Sequence, residues 1–391
     1  MFSIIAAPGI AIGGRLINVV DILFLCAFAY LFLIKKKKMS FSIFDGSYLL
    51  YATVALFSLL INFGTYSSLI VSLMQLLRLF YIPIGALIFN KQYKYQDKRE
   101  AINSISVYGI WLGIITVIAF LEQGTIYDSI QTMWINGIEM RRAGGVFGES
   151  SYLGVITLVL FVAGLYLFRK SDKRAYKCNG VICCVSSCIC NILSYTRITN
   201  IALILLLIIM IFTMRTLARK LAVIIVGVIS ILCVALVSDI FRALIVERLG
   251  SILNIFNDFN SVSSGRLGVW QDAYEHYLKG SLIFGSGYKN GFFGDNNFIM
   301  SLTQMGILGL CVHVVLMVSM VIQAWRKKSI AAFSLFLIVF ICSMTCDVLT
   351  YYRPMCLLLI LFALVEGKSV VASKAEQRSY MLVSQESNAN G

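Results

Sequence analysis

Runs of roughly 20 predominantly apolar residues recur along almost the whole chain, the length an α-helix needs to cross a hydrocarbon layer about 30 Å thick. Inside a bilayer every backbone amide must be satisfied by the protein itself, so only helices or a closed barrel can span it. A barrel would read as short alternating segments, which these runs are not. Hydrophobic residues make up 59% of the 391 and charged residues 13%, and the mean hydropathy of +0.85 excludes an ordinary water-soluble domain. The fold class expected is all-α and polytopic, with about eleven transmembrane helices.

The spans read as 16–34, 47–63, 68–89, 101–121, 150–168, 179–196, 199–214, 221–241, 297–325, 329–349 and 354–366. Residues 1–14 are apolar but too few to cross alone. Either Met1 is a late start or this stretch is a partial, re-entrant twelfth piece, and no cleavable signal peptide is evident. Residues 1–391 are read as one membrane domain.

Orientation follows from Lys and Arg, which are retained on the cytoplasmic side of short loops. Six clusters hold 22 of the 33: Lys35 to Lys38; Lys91, Lys94, Lys98 and Arg99; Arg169, Lys170, Lys173, Arg174 and Lys177; Arg215, Arg219 and Lys220; Arg326 to Lys328; and Lys368, Lys374 and Arg378. All six fall on one side of an eleven-span chain. That accounts for the net charge of +14 as topology and calls for no nucleic-acid partner. The eleven Cys lie in or beside apolar spans, so disulfides are not expected, and Cys183, Cys184, Cys188 and Cys190 read as packing residues rather than metal ligands.

Two segments facing the other side are long enough to carry chemistry, 122–149 and 242–296, and a polar tail, 368–391, is expected to be disordered in the cytoplasm. Within the larger loop, residues 263–280 place Leu267, Trp270, Ala273, Tyr274 and Tyr277 at helical spacing, which predicts an amphipathic helix along the membrane face. Gly285, Gly287, Gly291 and Gly294 then imply a tightly turned return to the ninth span at about Asn296.

The first loop ends in RRAGGVFGESSYLG, residues 141–154. Arginines beside a helix N-terminus make an anion site. The competing reading has Arg141 and Arg142 snorkelling to headgroups while Glu149 caps the helix. The turn SYTRITN, 194–200, puts Arg197 on the outward side, SSGR puts Arg266 at the start of the amphipathic helix, and DNN at 295–297 supplies Asp295 beside Asn296. Of the ten basic residues outside the clusters and the spans, eight are Arg, the group suited to gripping phosphate where water is partly excluded. Asp21, Arg78 and Asp347 fall within spans, where a charge needs a partner or a cavity, and Arg78 paired with either Asp is the bland expectation. Walker, D-x-D and C-x-x-C motifs are absent and there are two His, so neither a metal nor a cofactor is expected.

The chain resembles the bacterial O-antigen polymerase and ligase superfamily, which acts on polyprenyl-pyrophosphate-linked saccharides at the outer face of the cytoplasmic membrane. RRAGGVFGESSYLG is similar to that family's R-x-x-G-x-F-x-E-P-S motif, with Ser150 in place of Pro. Residues 264–309 are similar to its S-G-R, W, G-x-G and [HD]-N block ahead of a G-[IL]-x-G helix, and SYTR to its T-x-S-R turn. Asp295 stands where the ligases usually carry His, which favours a polymerase. The resemblance implies transfer of a growing glycan from its polyprenyl pyrophosphate to a new lipid-linked repeat. Arg141, Arg142, Arg197 and Arg266 would hold pyrophosphate as charge gathers on it, and Asp295 or Glu149 would activate the acceptor hydroxyl. Trp270, Tyr274, Tyr288 and Asn296 are the expected sugar contacts. Partners implied are the lipid-linked oligosaccharides, membrane lipids, a chain-length regulator and a flippase. A ligase of the same superfamily and a non-catalytic transporter of the same lipids are the rival readings.

Overall fold

The computed structural model describes residues 11–12, 17–18, 43–66, 69–90, 95–122, 130–135, 138–147, 149–213, 224–225, 228, 266–290 and 296–365. The helices are α1 (Ile43–Ile61), α2 (Leu69–Asn90), α3 (Tyr95–Leu121), α4 (Ser150–Lys170), α5 (Arg174–Leu193), α6 (Arg197–Thr213), α7 (Arg266–Lys279), α8 (Asn297–Lys327), α9 (Ile330–Ser343) and α10 (Tyr352–Leu364). Strands β1 (Ala11–Ile12) and β2 (Ile17–Asn18) make a two-residue antiparallel pair, and β3 (Ile130–Ile135) and β4 (Ile138–Ala143) make a hairpin.

Among the described residues, five helices are long and apolar enough to cross a membrane: α1, Lys98–Leu121 of α3, α4, α5 and α8. Several apolar helices of this kind make the chain a multi-pass membrane protein. The expected spans 16–34 and 221–241 lie almost wholly outside the described residues. Ile17 and Asn18, which belong to the first, are extended rather than helical.

Helix α4 is the axis of the bundle. Apolar on all sides, it is buried along most of its length, as expected of a helix surrounded by others. Small residues let its neighbours come close, as is usual where helices pack without a hydrophobic drive between them. A Cβ on Gly164 would lie 2.6 Å from Gly180 O, and one on Gly109 2.7 Å from Cys183 Sγ. Cys183 and Cys184 are buried on α5 against α4 and donate to Leu160 O and Phe161 O at 3.5 Å.

Three features depart from the sequence reading. The fold is not purely helical, because the first loop holds the β3–β4 hairpin, with Gln131 opposite Arg142 and Trp134 opposite Glu139. The ninth span is not one continuous helix. Gly306 has φ 69 and ψ −164, so α8 is a short arm, 297–305, followed by a stretch of about 31 Å. The segment after α7 fills the break: Ser286 N donates to Thr303 O (2.9 Å), Gly287 N to Gln304 O (3.0 Å), and Ile307 N to Leu282 O (3.0 Å). Ser58 Oγ of α1 lies within donating distance of Gln304 O (2.6 Å) and Phe284 O (2.8 Å). Irregular backbone in a membrane protein is tolerated where its polar groups are re-satisfied in this way.

Thirdly, the expected span 329–349 stops at Ser343. A short 3-10 turn, Val348–Thr350, leads to α10, whose first turn accommodates Pro354. Asp347 therefore sits in a connection rather than in a helix. Tyr48 OH of α1 donates to Leu349 O (2.8 Å) and satisfies a carbonyl of that turn.

Candidate functional site

Antiparallel connections bring the hairpin, the N-terminal ends of α4, α6, α8 and α10, and the loop after α7 to one end of the bundle. Several basic residues of the sequence clusters lie at the other end, where Arg99 at the start of α3 pairs with Asp172 between α4 and α5 (2.6 Å).

At the first end, β4 delivers Arg142. Its Nε donates to Ser194 O (3.3 Å) and its Nη2 to Thr196 Oγ1 (3.2 Å), so the half-buried guanidinium is held by the turn joining α5 to α6. Tyr195 in that turn has φ 49, an uncommon conformation for a residue with a side chain, so the carbonyl and hydroxyl that hold Arg142 come from a constrained turn. Arg197 follows at once as the exposed first residue of α6. Gly145 lets the chain pass from β4 to α4: its φ is 55, and a Cβ there would lie 3.0 Å from Leu153 Cδ1.

Glu149 precedes α4 but makes no side-chain cap to it. Its Oε1 instead accepts from Tyr351 OH, 3.0 Å away, just before α10. The Tyr351 ring lies against that of Tyr152, centroids 4.4 Å apart and planes inclined at 36°, with the Phe147 ring 6.0 Å from that of Tyr152. Burial pushes the Glu149 carboxyl above its ordinary range. The Tyr351 hydroxyl draws it back, the Asp347 charge adds to the rise, and Lys289 and Arg142 oppose it.

Asp347 forms the third part. Lys289, itself at φ 58, reaches from the Gly-rich loop to pair with Asp347 Oδ2, with side-chain exposures of 9% and 15%. Thr350 Oγ1 donates to the same oxygen (2.5 Å). In the amide orientation that satisfies its neighbours, Asn297 donates to Oδ1 (2.6 Å) and accepts from Val348 N and Leu349 N (3.1 Å each). Asp347 is thus paired with Lys289, and the other expected partner of Arg78, Asp21, lies outside the described residues. Arg78 lies over the Tyr352 ring, 5.2 Å from its centroid. Arg353, a buried residue, lies over that ring (5.5 Å) and over Phe147 (5.8 Å).

The other expected site residues fall as follows. Arg141 pairs with Thr132 in the hairpin and Arg266 opens α7; the side chains of both lie outside the described residues. Asp295 lies outside them altogether. Trp270 is half-buried on α7, its Nε1 without an acceptor among the described residues, and Tyr274 is 54% exposed beside Tyr277. Tyr288 is 1% exposed, a core side chain under its own loop with no face left for a sugar ring. Asn296 uses its amide within the fold: Oδ1 accepts from Phe298 N (2.8 Å) and Ile299 N (3.2 Å), and Nδ2 donates to Met344 O (2.9 Å). Neither is presented as a substrate contact.

Lys289, Asp347 and Tyr351 are absent from the residues singled out as a site in the sequence. Two carried a signal: a carboxylate in an apolar stretch, and a lysine among closely spaced glycines. Tyr351 carried none, because its role exists only through Glu149, 202 positions away. No protein-family model matches the chain, and no curated protein is significantly similar to it.

Proposed function

We propose that this chain is a membrane glycosyltransferase of the polysaccharide polymerase type, transferring a growing glycan from polyprenyl pyrophosphate to a lipid-linked repeat unit at the outer face of a bacterial cytoplasmic membrane. The observation that carries the reading is the hydrogen bonding of Arg142 to the Ser194–Thr196 turn beside Glu149. It joins two of the segments on which the resemblance rests, and it sets a guanidinium near a carboxylate whose proton affinity is raised. Such a pair suits the reaction, which needs a cation where pyrophosphate departs and a base where the acceptor hydroxyl loses its proton.

Arg142 and Arg197 are assigned to pyrophosphate, with Arg141 and Arg266 from the flanking segments. Glu149 is the preferred base and Asp295 the second carboxylate. Trp270 and the exposed Tyr274 remain candidates for the saccharide. The activated donor brings its own leaving group, so the reaction draws on no nucleotide at a face where none is supplied. A chain-length regulator and a flippase are the protein partners this reading calls for.

Reconstitution of the purified protein in liposomes with lipid-linked repeat units tests it. Longer glycans are expected. Translocation without elongation would replace the polymerase with a transporter, and transfer of finished polymer to a lipid acceptor would replace it with a ligase. In cells, R142A is expected to cut polymer yield at least about tenfold at normal protein level, since losing one charge-stabilising donor costs about 10²–10³ in rate. Unchanged yield and chain length would remove Arg142 from the site.

A further inference from the structure

Among the described residues at this end, Glu149 is a half-buried carboxylate whose side-chain hydrogen bond comes from a tyrosine rather than a cation. That tyrosine is itself fixed. Tyr351 stands in the connection between the 3-10 turn and α10, its backbone N–H bound to Val348 O (3.1 Å) and its ring packed at a tilt against Tyr152. Tyr152 lies on α4, three residues beyond Glu149, so carboxylate, packing partner and hydroxyl belong to one corner.

We infer that Tyr351 is the positioning residue of the acid–base group. Its hydroxyl fixes Glu149 Oε1, so that Oε2 is the oxygen that takes a proton from an incoming hydroxyl. The inference rests on the polymerase reading for its catalytic consequence and on the contact itself for its physical one.

In the reaction proposed above, the acceptor O–H proton passes to Glu149 Oε2 and the acceptor oxygen bonds to the donor's anomeric carbon. The bond from that carbon to the pyrophosphate oxygen breaks, with its electron pair leaving on polyprenyl pyrophosphate. A carboxylate free to rotate would offer the base in many orientations, whereas one oxygen held by a fixed donor narrows them. Among the described residues, the charged and titratable groups around Glu149 include Tyr351, Asp347, Lys289, Arg142 and Tyr152, so each of the others also bears on its proton affinity. The hydroxyl of Tyr351 is held as a donor, because burial keeps its own ionisation well above the ordinary tyrosine range.

The test uses the full chain in detergent and in liposomes. Y351F keeps the ring and its packing against Tyr152 but removes the donor. Infrared difference spectra, with E149Q as the reference that identifies the band, report the pH at which Glu149 protonates, whether or not the protein has activity. Y351F is expected to move that midpoint to higher pH, since the hydroxyl favours the ionised carboxylate. In the elongation assay it is expected to lower kcat about tenfold or more and to carry the acid limb of the pH profile upward, with KM for the lipid-linked repeat little changed. Equal midpoints in wild type and Y351F, with both variants folded by their thermal melts, overturn the inference. So does a midpoint shift accompanied by an unchanged kcat and pH limb. A midpoint that Y351F shifts, together with a wild type that elongates nothing, sinks the polymerase reading, while the pairing of Tyr351 with Glu149 stands.

Discussion

A glutamate is an ordinary helix cap in sequence, but a cap must accept from its own first turn, and Glu149 accepts from Tyr351 instead. Its elevated proton affinity has a consequence for stability that is independent of any reaction. Folding favours the protonated form, so its contribution is fully present at low pH and is lost as pH rises from the ordinary glutamate value of 4.5 through the higher folded value. E149Q removes that linkage. It should melt at a higher temperature than wild type at neutral pH, and the gain should vanish as the pH is brought down to 4.5. Melting curves in detergent across that window check both the sign and the disappearance. A gain that persisted undiminished at acid pH would mean that the charge is not its origin.

At the scale of elements, the break in α8 matters most. Ten residues into a helix of membrane length, Gly306 turns the backbone into a conformation that other residues rarely adopt, and Ile283 O occupies the space where its Cβ would lie. The break releases backbone groups, and the Gly-rich loop supplies their partners, with Gly285 so close that a Cβ there would be 2.5 Å from Gln304 C. Loop and helix thus form one device, which carries Lys289 to Asp347. G306A is expected to cost about 2 kcal/mol or more, from backbone strain and the displaced Ile283 carbonyl together. A chemical unfolding curve within about 0.5 kcal/mol of wild type would argue that α8 runs straight through this point in the protein as it exists in lipid.

Across the whole molecule, the Lys289–Asp347 pair ties the loop before α8 to the connection between α9 and α10, 58 positions apart. Both partners are mostly buried, so removing one strands a charge. K289M is expected to destabilise by about 3 kcal/mol, and K289M/D347N to recover most of the loss, because the amide carries no charge and can still accept from Thr350. A double-mutant cycle on unfolding midpoints measures this. Additive losses would show that the two side chains act separately.

Much of the fold was legible in the sequence because burial in lipid imposes a simple rule. A helix that crosses must be long and apolar, and α1, α3, α4, α5 and α8 satisfy that rule by composition alone. The amphipathic helix was legible too, since Ala273 and Tyr277 recur at helical spacing on its buried face. The hairpin leaves a trace in Asn136–Gly137, the dipeptide favoured between two strands. Only the tertiary structure decided which polar groups meet. It drew Tyr288 and Asn296 into the core and the helix cap, held Arg142 on a turn some fifty residues away, and gave Asp347 to Lys289. Apolar patterning reports how each segment meets its solvent, which is a local property. A hydrogen bond between Tyr351 and Glu149 depends on how the helices pack, and no stretch of sequence contains it.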